Sequence, residues 1–343
     1  MDKTGPTSRV IDVHSHLYTE SYLHLLESRD EIPYIVSHGG TREFIIFTEE
    51  QGPDGVGGRM LGPEYTSLGT KLAFMDQFGI DQSVVSMGNP WLDPFPDQQG
   101  DEACKVINQE LAGLEDESDG RVVAMGVLPV SSVEAALNEL HSIKRMQGLV
   151  GVVTGPQIAG LPFDNQKLNP FWNELSKLAL PLFVHPKDGV ANELLVGYRH
   201  TLPVGVGFPV ETTIALTRLV FGGVLERFPR LKILVAHGGG TLPYLAGRLD
   251  AAWKSDTEVE ALLLQAPSTY LKALYLDALV YYGPALQAAC GLVGSSQLLF
   301  GTDNPFTVSD PKVNLETIEN EMENDEDKAL IKGGVANNLF SLS

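Results

Sequence analysis

An α/β fold is predicted for this 343-residue chain, a single-domain (β/α)8 TIM barrel over residues 1–343 with a lid-like insertion at 18–67 after the first strand. Three observations carry that expectation. Continuous apolar runs of four to eight residues recur eight times along the chain, and such runs mark parallel strands covered on both faces. Stretches of helical periodicity separate them, giving the alternation of a closed parallel barrel. Several runs end in histidine or aspartate followed by glycine or proline, at the carboxyl end where barrel enzymes carry their chemistry.

The first strand, 10–14, leads into His14-Ser15-His16. Side chains two apart on a strand share a face, so the two imidazoles project side by side. Residues 18–67 are too long for a simple βα loop and rich in Gly, Pro and aromatics, with a short apolar run at 43–48 that marks a strand or hairpin. Long inserts at the catalytic face of a barrel usually act as lids or binding loops. Further strands are predicted at 83–86, 122–128, 149–154, 182–185, 233–237, 274–278 and 298–302. The helical stretches fall at 68–78, 102–114, 132–146, 169–178, 211–226, 242–252 and 283–291. Acidic helical patterns at 313–323 and 327–332, then 336–342, follow the eighth strand, and no repeat, low-complexity tract or interdomain linker interrupts the series.

Composition narrows the class. The formal charge is −20, from 44 acids against 24 bases, while charged residues make up only 20% of the chain. The acidity therefore comes from scarce bases, and ordinary acidic solubility explains it as well as adaptation to high salt does. Without a basic patch to neutralise phosphates, nucleic acid is not an expected partner. No basic start precedes an apolar run, and no stretch reads as apolar for long enough to span a bilayer, so a cytoplasmic enzyme is expected. Cys104 and Cys290 are too few and too far apart for a disulfide framework or a thiolate site, and read as buried thiols.

His14 and His16, His185, and Asp303 end the first, fifth and eighth strands, which a closed barrel brings together. Three imidazoles and a carboxylate suit a borderline divalent ion, Zn²⁺ or alternatively Mn²⁺. His185 alone would read as a satisfied core histidine; the His-x-His and the segment Gly301-Thr302-Asp303-Asn304-Pro305 favour the metal reading. His237, before Gly238-Gly239-Gly240, is either a further ligand or a polariser and proton donor facing the substrate.

Four further segments carry a resemblance: Met75-Asp76-Gln77-Phe78-Gly79-Ile80, Phe208-Pro209-Val210-Glu211-Thr212-Thr213, His237 to Pro243 with Gly247-Arg248, and Gly301 to Phe306. Over essentially its whole length the chain resembles the amidohydrolase superfamily. Within it, the chain is similar to the non-oxidative decarboxylases of aminocarboxymuconate semialdehyde, resorcylate and isoorotate. Binuclear members carry a lysine at the end of the fourth strand, where this chain reads Val150-Gly151-Val152-Val153-Thr154-Gly155. The resemblance thus implies one ion per chain, held by His14, His16, His185 and Asp303. It also implies catalytic roles for His237 and Asp303, a substrate-carboxylate clamp from Arg59, and an Arg248 that reaches a neighbouring subunit's site in a homodimer. Val204 follows Leu202-Pro203 where the muconate enzymes have tryptophan, whereas Asn89-Pro90-Trp91 and Gly207-Phe208-Pro209 look more like isoorotate decarboxylase. Asn304 departs from the His or Tyr expected at its position.

The implied activity is removal of CO₂ from a planar unsaturated or heteroaromatic acid, isoorotate giving uracil being the leading case and the muconate semialdehyde the next. The rival is a mononuclear hydrolase of a cyclic amide or lactone, in which the same ion activates water. Several residues carry two readings. Asn89 suits either a pyrimidine amide edge or a turn before proline, and Glu211 either catalysis or the capping of a helix start. Arg59 is a clamp or a solvated loop residue, and Arg248 a trans-acting arginine or a surface ion pair. Trp91 and Phe306 are walls for a planar substrate or packing. His24, His38, His141 and His200 have no partner pattern.

Overall fold

A computed structural model describes residues 9–51 and 57–342. Eight strands form one sheet in sequence order: β1 Ile11–His16, β2 Gln82–Ser86, β3 Val122–Gly126, β4 Leu149–Thr154, β5 Leu182–Val184, β6 Ile233–Val235, β7 Tyr275–Asp277 and β8 Leu298–Leu299. Every pairing in it is parallel. The segment that continues β8 closes the circle on β1, with Val13 N donating to Phe300 O at 3.0 Å, Thr302 N to His14 O at 3.1 Å and His16 N to Asn304 O at 2.7 Å. The predicted (β/α)8 barrel is therefore the observed one.

Strands β6 and β8 stop short of their predicted ends because the polar residues there leave the ladder to line the barrel's mouth. His237 and Asp303 have φ of 55° and 59°, which no strand accommodates. Among the residues of the strands and of the segment that continues β8, Val13, Phe183, Leu234 and Phe300 are fully buried. Outside the sheet, the helices Val133–Arg145 and Asn169–Leu178 pack against each other. Burying Phe171, Trp172 and Leu175 on the latter contributes roughly 1.5–3 kcal/mol per side chain. The helix Leu68–Phe78 starts where Ser67 accepts from Thr70 N and stops at Gly79, whose φ of 66° few other residues tolerate.

Other sequence expectations need correction. The helix expected at 211–226 begins earlier, at Phe208, and Gly222 and Gly223 divide it into Phe208–Phe221 and Val224–Arg227. With the π-helical turn before it, Pro203–Phe221 is also 19 residues long with a mean hydropathy of 1.3, so it meets the length and composition of a membrane span that the sequence reading did not see. Its buried face, including Ala215, Leu216, Leu219 and Val220, packs into the helical layer of the barrel.

The insertion holds the helix Glu20–Glu27 and an antiparallel sheet of Tyr34–His38, Thr41–Ile45 and Arg59–Leu61. The strand expected at 43–48 is displaced: pairing ends at Ile45, and the 3-10 turn Thr48–Glu50 follows. Glu50 accepts from Ile46 N at 2.6 Å and Phe47 N at 3.0 Å, which satisfies the backbone that leaves the sheet. The rings of Tyr18, Phe44 and Tyr65 are buried against one another within the insertion, and Tyr65 meets Phe306, beyond β8, at 6.0 Å.

Candidate active site

At the carboxyl ends of β1, β5 and β8, one ligand atom each from His14, His16, His185 and Asp303 lie within 4.8 Å of one another, and all four residues are buried. A register shift between Asp12 and Ser15 in β1 shapes the strand end that carries the two histidines. Asp303 Oδ1 stands 3.2 Å from His16 Nε2 and 3.6 Å from His14 Nε2. These three buried atoms have no hydrogen-bond partner among the described residues. Buried polar atoms are seldom left unsatisfied. Bonds of about 2.0–2.2 Å place the ligand atoms of one ion roughly 3–4.5 Å apart, so the cluster fits a divalent cation.

The other ring nitrogens hold the imidazoles in place. His14 Nδ1 meets Asp277 Oδ2 at 2.6 Å and His185 Nδ1 meets Pro186 O at 2.7 Å. Both partners only accept, so the proton sits on Nδ1 and the Nε2 lone pair is free for a metal. His16 Nδ1 is paired with Ser86 Oγ at 3.2 Å. Burial pushes His16 down to about 4 and His185 well below the ordinary imidazole range. Burial also opposes charge on His14, but the hydrogen bond to Asp277 and the nearby carboxylates raise it. On Asp303 burial acts upward, yet the close approach of His16 and His237 and the charge of His14 and His16 hold it well below the usual carboxylate range.

His237 stands on the open side of the cluster. Its side chain is 17% exposed, and its Nε2 is 3.8 Å from Asp303 Oδ2. Asp303 thus turns one oxygen to the β1 histidines and the other to His237. The left-handed backbone at both residues costs about 1–3 kcal/mol each. Asp303 N offsets part of this by donating to His14 O at 2.7 Å. His237 N donates to Asp277 Oδ2 at 2.9 Å.

Sequence reading missed Asp277, although an acidic residue ending the apolar run at 274–278 was a visible signal. It also missed Tyr281, just beyond β7, which has a φ of 54° and a buried hydroxyl without a partner among the described residues. Burial, then the charges of Asp303 and Asp277, push this phenol far up.

Most of the remaining candidates gather here. Arg59 Cζ lies 4.7 Å from the Phe306 ring centre, and that ring is 4.9 Å from His16. Trp91 presents an edge to His185 at 5.9 Å, its Nε1 donating to Met87 O. Asn89 is nearby but occupied, with Nδ2 donating to Lys187 O at 2.6 Å. Thr154, at the end of β4 where binuclear relatives carry lysine, donates its hydroxyl to Gln157 O. Arg248 is exposed on the helix Leu242–Lys254. Glu211 does not cap its own helix: it accepts from Lys187 N at 2.7 Å and Gly189 N at 3.1 Å, pinning the loop that follows His185. Its sequence neighbours gave no sign of a partner 22 to 24 residues earlier. Of the histidines without a predicted role, His200 pairs with Glu50 at 2.8 Å and His141 with Glu174 at 3.6 Å.

The 2-amino-3-carboxymuconate-6-semialdehyde decarboxylase of Dictyostelium discoideum is 30% identical over 236 residues, an alignment that takes in 67% of this chain and 64% of that protein. The γ-resorcylate decarboxylase of a Rhizobium species is 26% identical over 260 residues, 69% of this chain and 76% of its own. The crystal structure of the Metarhizium anisopliae IDCase in apo form superposes with a TM-score of 0.91 at 30% identity, covering 98% of both chains. A single family model, amidohydrolase, matches residues 11–342 from the first barrel strand to the last helix, and this chain belongs to that family.

Proposed function

We propose that this amidohydrolase is a metal-dependent non-oxidative decarboxylase of a planar unsaturated or heteroaromatic carboxylic acid, with isoorotate, giving uracil, as the first substrate to test. The observation that carries the reading is the division of Asp303 between three buried imidazoles on one side and His237 on the other. Two of the relatives described above are decarboxylases by name, which supports the same chemistry.

His14, His16, His185 and Asp303 would hold one Zn²⁺ or Mn²⁺ per chain. Such an ion supplies a Lewis acid and a template for the substrate carboxylate and a neighbouring oxygen. The rest falls to the protein. Arg59, held over Phe306, clamps the carboxylate bidentately, and Phe306 and Trp91 wall a planar ring. Asp303, which its neighbours keep ionised at rest, is loaded with a proton by way of His237 and delivers it to the carbon bearing the carboxylate. Conjugation is broken there, and the electron pair of the carbon–carbon bond returns to the ring as CO₂ departs. His237 stabilises charge on the ring oxygen and returns a proton to Asp303.

The insertion that presents Arg59 serves as the lid. Arg248 completes the site of a second copy in a homodimer, a role that its exposure allows. Tyr244, one turn earlier on the same helix and 88% exposed, supports burial of this face by another chain. Mass spectrometry of products after incubation with isoorotate, aminocarboxymuconate semialdehyde and a panel of hydroxybenzoates tests the reading. Loss of CO₂ from one of them is expected; a ring-opened acid, formed without CO₂, would establish the hydrolase instead.

A further inference from the structure

Asp277 is the point where the two halves of the site meet. It ends β7, is fully buried, and receives four donors on two oxygens. Oδ2 takes His14 Nδ1 at 2.6 Å and His237 N at 2.9 Å. Oδ1 takes Gly238 N at 2.8 Å and Leu279 N at 3.2 Å. The first pair joins a proposed metal ligand to the backbone of the proposed substrate-side histidine. The second fixes the turn that follows.

That turn depends on outside support. His237, Gly238, Gly239 and Gly240 all have positive φ, from 55° to 80°. A Cβ at Gly238 would lie 2.4 Å from Val280, and one at Gly240 2.4 Å from Pro209 O. The loop therefore threads a gap with no side chains of its own to anchor it, and the Asp277 oxygens supply the anchor.

We infer that Asp277 is a positioning residue that sets the His14 tautomer for ligation and holds the His237 turn in register with it, a role only a carboxylate can fill. An amide has one acceptor oxygen. Whichever way the side-chain amide of an Asp277→Asn variant turned, its NH₂ would confront two donors, either His14 Nδ1 and His237 N or Gly238 N and Leu279 N. Facing His14, the conflict is relieved only if the imidazole moves its proton to Nε2, which points a hydrogen into the cluster and removes that lone pair as a ligand. Facing the turn, it releases Gly238 and the loop of His237. A role confined to stabilising the end of β7 predicts neither effect.

This inference rests on the metal reading, and its test separates the two. The full-length protein and its Asp277→Asn variant are titrated with Zn²⁺ against a chromogenic chelator, and the histidine tautomers of the metal-free proteins are read by ¹⁵N NMR, with the His14 signal assigned by its loss in His14→Gln. The native protein should show His14 protonated on Nδ1. Asp277→Asn should stay folded by circular dichroism, shift His14 toward the Nε2-protonated form or free the His237 turn, and bind Zn²⁺ about 10–100-fold more weakly. Unchanged Zn²⁺ affinity with an unchanged His14 tautomer would overturn the inference. So would a native His14 protonated on Nε2, a measurement that stands even if the variant fails to fold. Failure of the native protein to take up Zn²⁺ or Mn²⁺ would count against the metal reading, while the tautomer would still decide the role of Asp277.

Discussion

Lys71 Nζ lies 3.7 Å from Asp12 Oδ2, and both side chains are completely buried. Lys71 comes from the helix outside the barrel, while Asp12 sits on β1 and accepts from Thr302 N at 3.1 Å, Thr302 Oγ1 at 2.7 Å and His14 N at 3.2 Å. The pair thus bolts together the seam between the strand that carries two histidines of the cluster and the segment that carries Asp303. Lys71 also donates to Asn304 Oδ1 at 3.1 Å, which gives the unexpected asparagine a role within the seam.

Removing the ammonium should be costly. Lys71→Met leaves Asp12 buried without its counter-charge and is expected to lose about 3–5 kcal/mol of stability in urea denaturation. The pH dependence has a definite sign. Burial lowers Lys71 from 10.5 to about 8 against the pull of Asp12, so between those values the unfolded chain binds a proton that the native protein has released. Stability contributed through this group therefore rises with pH across that window and is flat below it. The variant should lack that rise; parallel pH profiles for the two proteins would refute the assignment.

Metal content is the most direct test of the site. Purified protein is expected to carry about one divalent ion per chain, because four ligands fill one tetrahedral or five-coordinate position and Thr154 occupies the place of a bridging lysine. His185→Ala should lose most of it by elemental analysis. Two tightly bound ions, or none in active protein, would be incompatible with this ligand set.

Glu211 offers a test of the loop beyond His185. Lys187 N and Gly189 N both donate to Oε2 and Asp188 N to Oε1, so in Glu211→Gln, where one acceptor oxygen is replaced by a donor, the three amides can no longer all be satisfied. A stability loss of about 1–3 kcal/mol is expected, with faster hydrogen exchange among those three amides. Protection at the native level would show that the carboxylate is dispensable there.

What the sequence revealed and what it hid follow from range. Apolar runs located all eight strands, because the burial that makes a parallel strand is written in its own residues. The ends of β6 and β8 were overextended because His237 and Asp303 leave the ladder through left-handed backbone that their residue types do not announce. His14, His16, His185 and Asp303 were legible since each ends such a run and the barrel topology unites the ends. Asp277 and Lys71 were not, because their roles depend on partners 263 and 59 residues away, and Glu211 reads locally as a helix cap until the loop it holds is in view.

The exposed Arg248 leads to a complementation experiment. Arg248→Ala and His237→Ala subunits should each be inactive, and mixing them should restore some activity, since a heterodimer can regenerate one intact site. The readout is CO₂ release after subunit exchange, monitored by differently tagged chains. No recovery despite exchange would place Arg248 outside the active site.

The two oxygens of Asp303 allow metal binding and proton delivery to be separated. Asparagine retains a carbonyl oxygen that can face His14 and His16, yet it has no carboxylic proton to give. Asp303→Asn is therefore expected to keep much of its metal while turnover falls by about 10²–10⁴. His237→Asn should also keep its metal, since His237 stands 3.8 Å from the far oxygen of Asp303 on the more open side, and should lose about 10² or more in rate with the charge stabilisation it provides. Measuring occupancy and decarboxylation on the same samples tests both roles together. If Asp303→Asn turned over at the native rate with full metal, the proton would have to come from elsewhere, and His237 would take over as its donor.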